Sequence, residues 1–234
     1  FETFLLRDRV SGYRLHDDRY PYLFNSYYEA EGARHPRAAR GLLTRPTLAE
    51  VRDWRAAVDD AMDRALPTLA ENSADLIALG IAHEQQHQEL LLTDILHLFA
   101  QNPLGPAVYV DAPAPPAGGP APIRWIDGAQ GVVQIGHAGD GFAFDCEAPR
   151  HAALLPPHQL AHRPVSNGEW AQFIADGSYR DPALWLADGW AWVKEEGIAA
   201  PLYWREGDGG WEQFTLAGWR SLDPAAPVCH ISLY

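Results

Sequence analysis

The sequence predicts a helical N-terminal part followed by a mixed α+β C-terminal part, and three observations lead to this expectation. Residues 1–102 carry apolar side chains at helical spacing between capping signals. Residues 103–122 contain seven of the 19 prolines, which indicates an extended linker. Residues 123–234 contain eight of the nine tryptophans among many glycines and short apolar runs, a pattern typical of short strands, turns and irregular structure.

The first part is expected to contain a short helical tail at residues 1–6 and then two long helices joined to it by a long connection. The first long helix is predicted in TLAEVRDWRAAVDDAMDRALP, where Thr47 and Glu50 form a capping box. We expect this helix to end at Pro67, because proline lacks the backbone donor that continues a helix.

The second long helix is predicted to begin at Asn72 or Ser73 and to end before Pro103. It contains the sequence HEQQHQEL, in which His83 and His87 are four residues apart. Imidazoles at this spacing lie on one face of a helix and can bind one metal ion. The same letters fit the H-E-x-x-H pattern of zinc peptidases. Paired histidines are also frequent as surface or core residues, so the spacing alone leaves a structural role open.

A third metal ligand is not expected close to the pair on the same helix. Glu89 follows His87 by two residues, which turns its side chain about 200° around the helix axis and away from the pair. His97 follows His87 by ten residues and therefore lies about 15 Å along the axis. The glycine and histidine that follow this motif in metzincin peptidases are absent, and no glutamate occurs between Glu89 and Glu147. The peptidase alternative therefore has no evident third ligand.

In the C-terminal part, the runs GVVQIG and GFAFD are expected to form short strands. One helix is predicted there after a second capping box, formed by Ser166 and Glu169. No internal repeat is visible.

The composition excludes several classes of function. A formal net charge of −13 disfavours a general nucleic-acid or anionic-membrane surface. No apolar run approaches the roughly 20 residues of a membrane span, and we expect no secretory leader. The two cysteines, Cys146 and Cys229, are too few for a disulfide scaffold. We therefore expect a cytoplasmic protein.

Four stretches together closely resemble the iron(II)-dependent sulfoxide synthases of ergothioneine biosynthesis. They are HEQQHQELLLTDI, LFNSYYEA, RHPRAARGLLTRP and PVSNGEWAQFIADGSYRDPALWLADGW. Those enzymes pair a DinB-like four-helix bundle with a C-type-lectin-like domain similar to the formylglycine-generating enzyme. The resemblance implies a DinB-like bundle at residues 1–102, truncated at its N-terminus, and a linker at 103–122. It also implies a formylglycine-generating-enzyme-like domain at 123–234, truncated at its C-terminus.

The resemblance also implies a metal and a reaction. The family holds Fe(II) with three histidines, of which His83 and His87 match two, and the third is expected just upstream of Phe1. Glu89 matches the carboxylate of the family's motif and is expected outside the ligand set. The implied reaction uses O2 to join a cysteine-containing thiol, cysteine or γ-glutamylcysteine, to trimethylhistidine by a carbon–sulfur bond with formation of a sulfoxide.

Substrate-binding residues are carried over in the same way. Arg37 and Arg40, with Arg34 as a third candidate, are expected to bind the carboxylates of the thiol substrate, because the planar arginine fork suits two-pronged contacts. Solvated loop arginines are the alternative. Gln86 is expected near the trimethylhistidine, and the family's active-site tyrosine is expected beyond Tyr234.

Two other functions stay open at this point, a zinc peptidase and a diverged member that binds a ligand without chemistry. Sibling reactions of the ovothiol or selenium type are also open. Because the chain begins and ends inside patterned sequence, we expect a segment of a longer protein. We expect that segment to be inactive by itself, since two histidines bind iron weakly.

Overall fold

The structure is a computed structural model that describes residues 1–25, 28–114 and 118–234. The side chain of Arg37 lies outside this description. Residues 115–117 of the predicted linker and two residues of the LFNSYYEA stretch also lie outside the described residues.

The described chain forms two compact units. The first consists of residues 1–87 with 140–142, and the second of residues 88–139 with 143–234. Helices build the first unit, whereas the second combines helices with small antiparallel sheets, so the chain is of the mixed α+β class. The predicted domain limits and the DinB-like and formylglycine-generating-enzyme-like domain names stay predictions.

The first unit is built around the long helix α2. The helical elements in chain order are a π-helical turn (Glu2–Arg7), α1 (Tyr20–Leu23), two 3-10 helices (Glu29–Glu31 and Arg37–Leu42), α2 (Leu48–Asn72) and α3 (Ala74–Ala100). The first part of α3 belongs to the first unit, and the helix continues without a break into the second.

The predicted start of α2 is confirmed and its predicted end is wrong. Thr47 Oγ1 accepts a hydrogen bond from the Glu50 amide at 3.3 Å, and Glu50 Oε2 accepts one from the Thr47 amide at 2.7 Å. The helix does not end at Pro67 but continues to Asn72. A proline inside a helix removes one hydrogen bond and crowds the carbonyl four residues earlier, and the burial of Leu69, 3% exposed, stabilises the turn that follows.

The predicted second long helix is also present. It begins at Ala74, directly after Ser73, and ends at Ala100, ahead of Pro103. Asn72, the other candidate for the start, is the last residue of α2.

A buried carboxylate holds the start of the chain against α2. Glu2 is 8% exposed and accepts three hydrogen bonds. The donors are the Tyr13 hydroxyl at 2.8 Å, the His16 amide at 2.8 Å and Trp54 Nε1 at 2.7 Å. Leu6 is fully buried beside α2 in the same region. These contacts fix the helical turn that carries Phe1 and its neighbours.

Besides the end of α3, the described part of the second unit contains three small antiparallel sheets and two further helices. In the first sheet, strand β1 (Trp125–Asp127) pairs with β4 (Gln159–Ala161). In the second, β2 (Gly131–Ile135) pairs with β3 (His151–Leu155). The third sheet is a meander of three strands, β5 (Trp204–Gly207), β6 (Gly210–Thr215) and β7 (Gly218–Ser221). The helices are α4 (Asn167–Ala175) and α5 (Ala187–Glu196). Short 3-10 turns span Asp145–Glu147, Ser178–Arg180 and Pro182–Leu184.

The capping box ahead of α4 is confirmed and reinforced by an arginine. Ser166 Oγ accepts from the Glu169 amide, and Glu169 accepts from the Ser166 amide at 2.9 Å. Arg163 also donates to both oxygens of Glu169, each at 2.8 Å. The hydrogen bonds from Arg163, followed by those from Ser166, lower the pKa of Glu169 to about 2.

One of the two predicted strands forms and the other does not. GVVQIG contains β2 as predicted. GFAFD forms no strand, because the chain instead turns into the 3-10 segment Asp145–Glu147. Glu147 accepts a hydrogen bond from the Phe144 amide at 2.8 Å and thereby caps that turn.

The described part of the proline-rich segment is attached to the β6–β7 hairpin. The Val108 amide donates to the Leu216 carbonyl at 2.7 Å, and Arg220 donates to the Pro113 carbonyl at 2.7 Å. Cys146 and Cys229 are both exposed free thiols. Within the described ranges, no helix is long and apolar enough to cross a bilayer.

Candidate metal centre

Helix α3 brings the two predicted ligands together. His83 and His87 lie one turn apart on α3, and their Nε2 atoms are 3.2 Å from each other. The ring centroids are 4.5 Å apart with an interplanar angle of 76°. The Nε2 atoms of the two rings therefore lie next to each other.

The spacing of these nitrogens fits a shared metal ion. Two nitrogens about 2.1 Å from one ion lie about 3.0 Å apart at a right angle and about 3.4 Å apart at the tetrahedral angle. The observed 3.2 Å falls between these values, so the pair can occupy two neighbouring coordination positions. Within residues 1–25, 28–114 and 118–234, no group of three or more His, Cys, Asp or Glu side chains could hold a metal ion.

The surroundings of His83 favour its neutral form, which is the form that binds metals. Partial burial of the ring is the largest cause that lowers its pKa, and the neighbouring His87 imidazole lowers it further. Glu84 opposes these effects.

Glu84, the residue that would be the general base of a zinc peptidase, has an ion-pair partner on another helix. Its carboxylate faces Arg55 of α2, with 3.6 Å between Glu84 Oε1 and Arg55 Nη1. In the H-E-x-x-H peptidases this glutamate must act on a water at the metal. The ion pair with Arg55 instead engages it with the neighbouring helix.

A cavity of about 500 Å³ opens beside His83. Its walls are mostly apolar and aromatic, and the lining residues are Phe1, Phe4, Leu5, Tyr28, Leu76, Leu79, Gly80, His83 and Glu84. Gly80 permits a close approach between α3 and the start of the chain, since a Cβ at this position would lie 3.0 Å from the Phe1 ring. His83 thus borders a space large enough for a small organic molecule.

Sequence reasoning missed a residue that makes a polar contact with this pair from outside α3, among the residues that the structure describes. The hydroxyl of Tyr28 lies 3.4 Å from His83 Nε2. Tyr28 belongs to the LFNSYYEA stretch, which contributed to the resemblance but was assigned no role at the metal site. No spacing in the sequence relates Tyr28 to His83, because the two are 55 positions apart.

The predicted arginines lie on the segment that follows Tyr28. Arg34 donates to Glu29 at 2.8 Å, and both side chains are largely exposed, at 42% and 80%. Arg37 begins the 3-10 helix Arg37–Leu42, which also contains the half-buried Arg40. Their predicted role in substrate binding stays a prediction.

Gln86 and Glu89 are both exposed on α3. Gln86 directly precedes His87, and Glu89 follows it by two residues. The backbone carbonyl of Glu89 accepts a hydrogen bond from the Thr93 hydroxyl at 3.1 Å. The substrate contact predicted for Gln86 and the supporting role predicted for Glu89 also stay predictions.

Comparison with known proteins relates the chain to one group of enzymes. No protein-family model matches it. Over 203 residues, 86% of this chain, it is 34% identical to the hercynine oxygenase of Mycolicibacterium thermoresistibile. The chain is related to hercynine oxygenases. It is also 32% identical to the hercynine oxygenase of Mycobacterium tuberculosis and 30% identical to that of Mycolicibacterium smegmatis, each over 86% of its length.

These relatives are longer proteins. The matches cover 44% of the M. thermoresistibile protein and 46% of each of the other two, so the chain spans slightly less than half the length of the curated relatives. The relation supports the ergothioneine-related family suggested by the sequence motifs.

Proposed function

We propose that the protein containing this chain is a non-haem iron(II) oxygenase that joins a cysteine-containing thiol to trimethylhistidine and converts the joined sulfur to a sulfoxide. One observation carries the proposal. In a chain related to hercynine oxygenases, the H-x-x-x-H motif holds two imidazole nitrogens 3.2 Å apart beside a cavity.

The proposed reaction balances with O2 as the only oxidant. The thiol loses its S–H hydrogen, the imidazole ring loses one C–H hydrogen, and a carbon–sulfur bond forms. One oxygen atom goes to sulfur, and the other leaves as water with the two hydrogens. Four electrons pass from the two substrates to O2. Iron would supply neighbouring positions at which the reactants meet, which turns a rare encounter into a local one.

His83 and His87 are the proposed iron ligands, and a third imidazole is proposed on residues that precede Phe1. The geometry of the first unit supports this arrangement. Phe1 lines the same cavity as His83 and packs closely over Gly80. A residue that directly precedes Phe1 would lie near His83, which supports the proposal of a third ligand there.

Arg37, Arg40 and Arg34 are the proposed partners of the thiol substrate's carboxylates. Arg34 pairs with the carboxylate of Glu29 at 2.8 Å, and a planar guanidinium suits the carboxylate of a substrate in the same way. A substrate carboxylate would replace Glu29. Gln86 is the proposed contact to trimethylhistidine, and Glu89 is proposed as a supporting group outside the ligand set.

The test uses the full-length protein, purified without oxygen and loaded with Fe(II). We expect oxygen consumption only when trimethylhistidine is present together with cysteine or γ-glutamylcysteine, and mass spectrometry should detect the sulfoxide product. His87→Ala should abolish product formation, whereas His151→Ala, which alters an exposed histidine of β3, should leave it unchanged.

Two results would contradict the proposal in different ways. Iron binding without sulfoxide from either thiol would refute the substrates. Cleavage of casein that is lost in Glu84→Gln would favour the zinc peptidase instead.

A further inference from the structure

A buried asparagine fixes the backbone of Tyr28. Asn25 is 6% exposed, and its side-chain amide makes two hydrogen bonds with the same residue. Asn25 Nδ2 donates to the Tyr28 carbonyl at 2.8 Å, and Asn25 Oδ1 accepts from the Tyr28 amide at 2.9 Å. The Asn25 side chain thus uses both its N–H group and its oxygen on the backbone of Tyr28. Because breaking either hydrogen bond would leave a buried polar group unsatisfied, the two bonds hold this backbone in one position.

The phenol ring of Tyr28 is directed at the imidazole pair. Its edge-to-face contact with the Phe4 ring has a centroid distance of 5.3 Å and an angle of 64°. Its hydroxyl lies 3.4 Å from His83 Nε2. An ion about 2.1 Å from that nitrogen lies within about 5.5 Å of the hydroxyl, close enough for the hydroxyl to meet a molecule bound to the ion.

The contact between Tyr28 and His83 cannot persist as a hydrogen bond to Nε2 once a metal is bound. A neutral imidazole has one acceptor nitrogen, and a metal ion takes that lone pair. The hydroxyl of Tyr28 then needs a new acceptor, while Asn25 and Phe4 keep the residue where it is. A ligand at the neighbouring position on the ion would lie within reach of this hydroxyl and would offer such an acceptor.

We propose that Asn25 and Tyr28 form a ligand-positioning unit of the metal centre. Tyr28 donates a hydrogen bond to a small electron-rich ligand, such as a thiolate, bound beside His83. Asn25 acts through Tyr28 by fixing its backbone. The inference rests on the proposed metal site but is independent of which thiol is the substrate.

Nitric oxide is the probe, because it binds open positions on ferrous ions and needs no substrate. In the full-length protein loaded with Fe(II) under anaerobic conditions, Tyr28→Phe should leave iron binding intact and weaken nitric oxide binding about 2- to 10-fold, the range of one hydrogen bond. The electron paramagnetic resonance signal of the nitric oxide complex should shift. Tyr22→Phe is the matched control, an exposed tyrosine nearby in the sequence, and should change neither readout.

Asn25→Ala tests the positioning role separately. We expect it to weaken nitric oxide binding as Tyr28→Phe does, and the double variant should be no weaker than Tyr28→Phe alone, because Asn25 acts through the hydroxyl. A loss of thermal stability without any change in nitric oxide binding would overturn the role of Asn25.

Other outcomes separate this inference from the proposed function. Unchanged nitric oxide affinity and spectrum in Tyr28→Phe would overturn the role of Tyr28 while leaving the oxygenase proposal intact. A phenolate-to-iron absorption band after oxidation, lost in Tyr28→Phe, would overturn it by revealing direct coordination. Failure of the unaltered protein to bind Fe(II) would overturn both proposals.

Discussion

Replacing Glu2 by glutamine tests the anchor that fixes the start of the chain. Glu2 Oε1 accepts from Tyr13 and from the His16 amide, and Oε2 accepts from Trp54. In Glu2→Gln, one oxygen becomes an NH2 group that must face some of these donors. The Tyr13 hydroxyl can rotate to accept a hydrogen bond, but neither the His16 amide nor the indole can.

At least one donor is therefore left unsatisfied in either orientation of the glutamine. That costs about 1–3 kcal/mol, and exchanging a charged acceptor for a neutral one in the remaining bonds costs about 1 kcal/mol more. We expect Glu2→Gln to lower the free energy of unfolding by about 2–4 kcal/mol. Tyr13→Phe removes one donor with its bond and should cost about 1 kcal/mol.

The measurement is urea unfolding of the full-length protein followed by far-ultraviolet circular dichroism, which reports the long helices. Tryptophan fluorescence is less suitable, because eight of this chain's nine tryptophans follow residue 123. Glu71→Gln, at an exposed position of α2, is the control and should change stability by less than about 0.5 kcal/mol. An equally small effect for Glu2→Gln would refute the claim that its carboxylate satisfies three donors.

Three further predictions concern acid stability, the metal and the substrate. The pKa of Glu169 is lowered to about 2, so the ionised side chain stabilises the fold fully above the usual carboxyl pKa of 4.5, and this stabilisation is lost as the pH falls towards 2. Glu169→Gln should remove this part of the acid dependence of the free energy of unfolding. An unchanged pH profile in the variant would contradict this prediction. His87→Ala should weaken Co(II) binding by more than about 100-fold in a spectroscopic titration, which exceeds the loss from removing an outer hydrogen-bond partner of a ligand. Equal affinity would exclude His87 as a ligand. Glu29→Gln frees Arg34 from an exposed ion pair and should lower the KM for the thiol. The decrease should be at most about 5-fold, because an exposed ion pair contributes at most about 1 kcal/mol. A higher KM would mean that Glu29 itself helps to bind the substrate.

Local signals predicted those parts of the fold that depend on neighbouring residues. The capping boxes at Thr47 and Ser166 mark helix starts because the cap and the glutamate three positions later satisfy each other within one turn. The imidazole pair was predictable for the same reason, since its geometry follows from one helix.

Features that depend on distant contacts could not be predicted. Helix α2 continues past Pro67 because Leu69 is buried, and burial depends on what the helix packs against. The approach of Tyr28 to His83 likewise depends on how the loop packs beside α3. Sequence spacing carries no information on such contacts, so the cavity and the contact made by Tyr28 are visible only in the folded structure.

The place of Phe1 has a practical consequence for anyone who expresses this chain. Its ring rests on Gly80 at the edge of the cavity beside His83. A polyhistidine purification tag fused directly ahead of Phe1 would place additional imidazoles close to the candidate iron site. These imidazoles would bind a metal ion together with His83 and His87 in place of the residues that precede Phe1 in the longer protein. Tags belong at the other terminus, or behind a cleavable spacer removed before any metal titration.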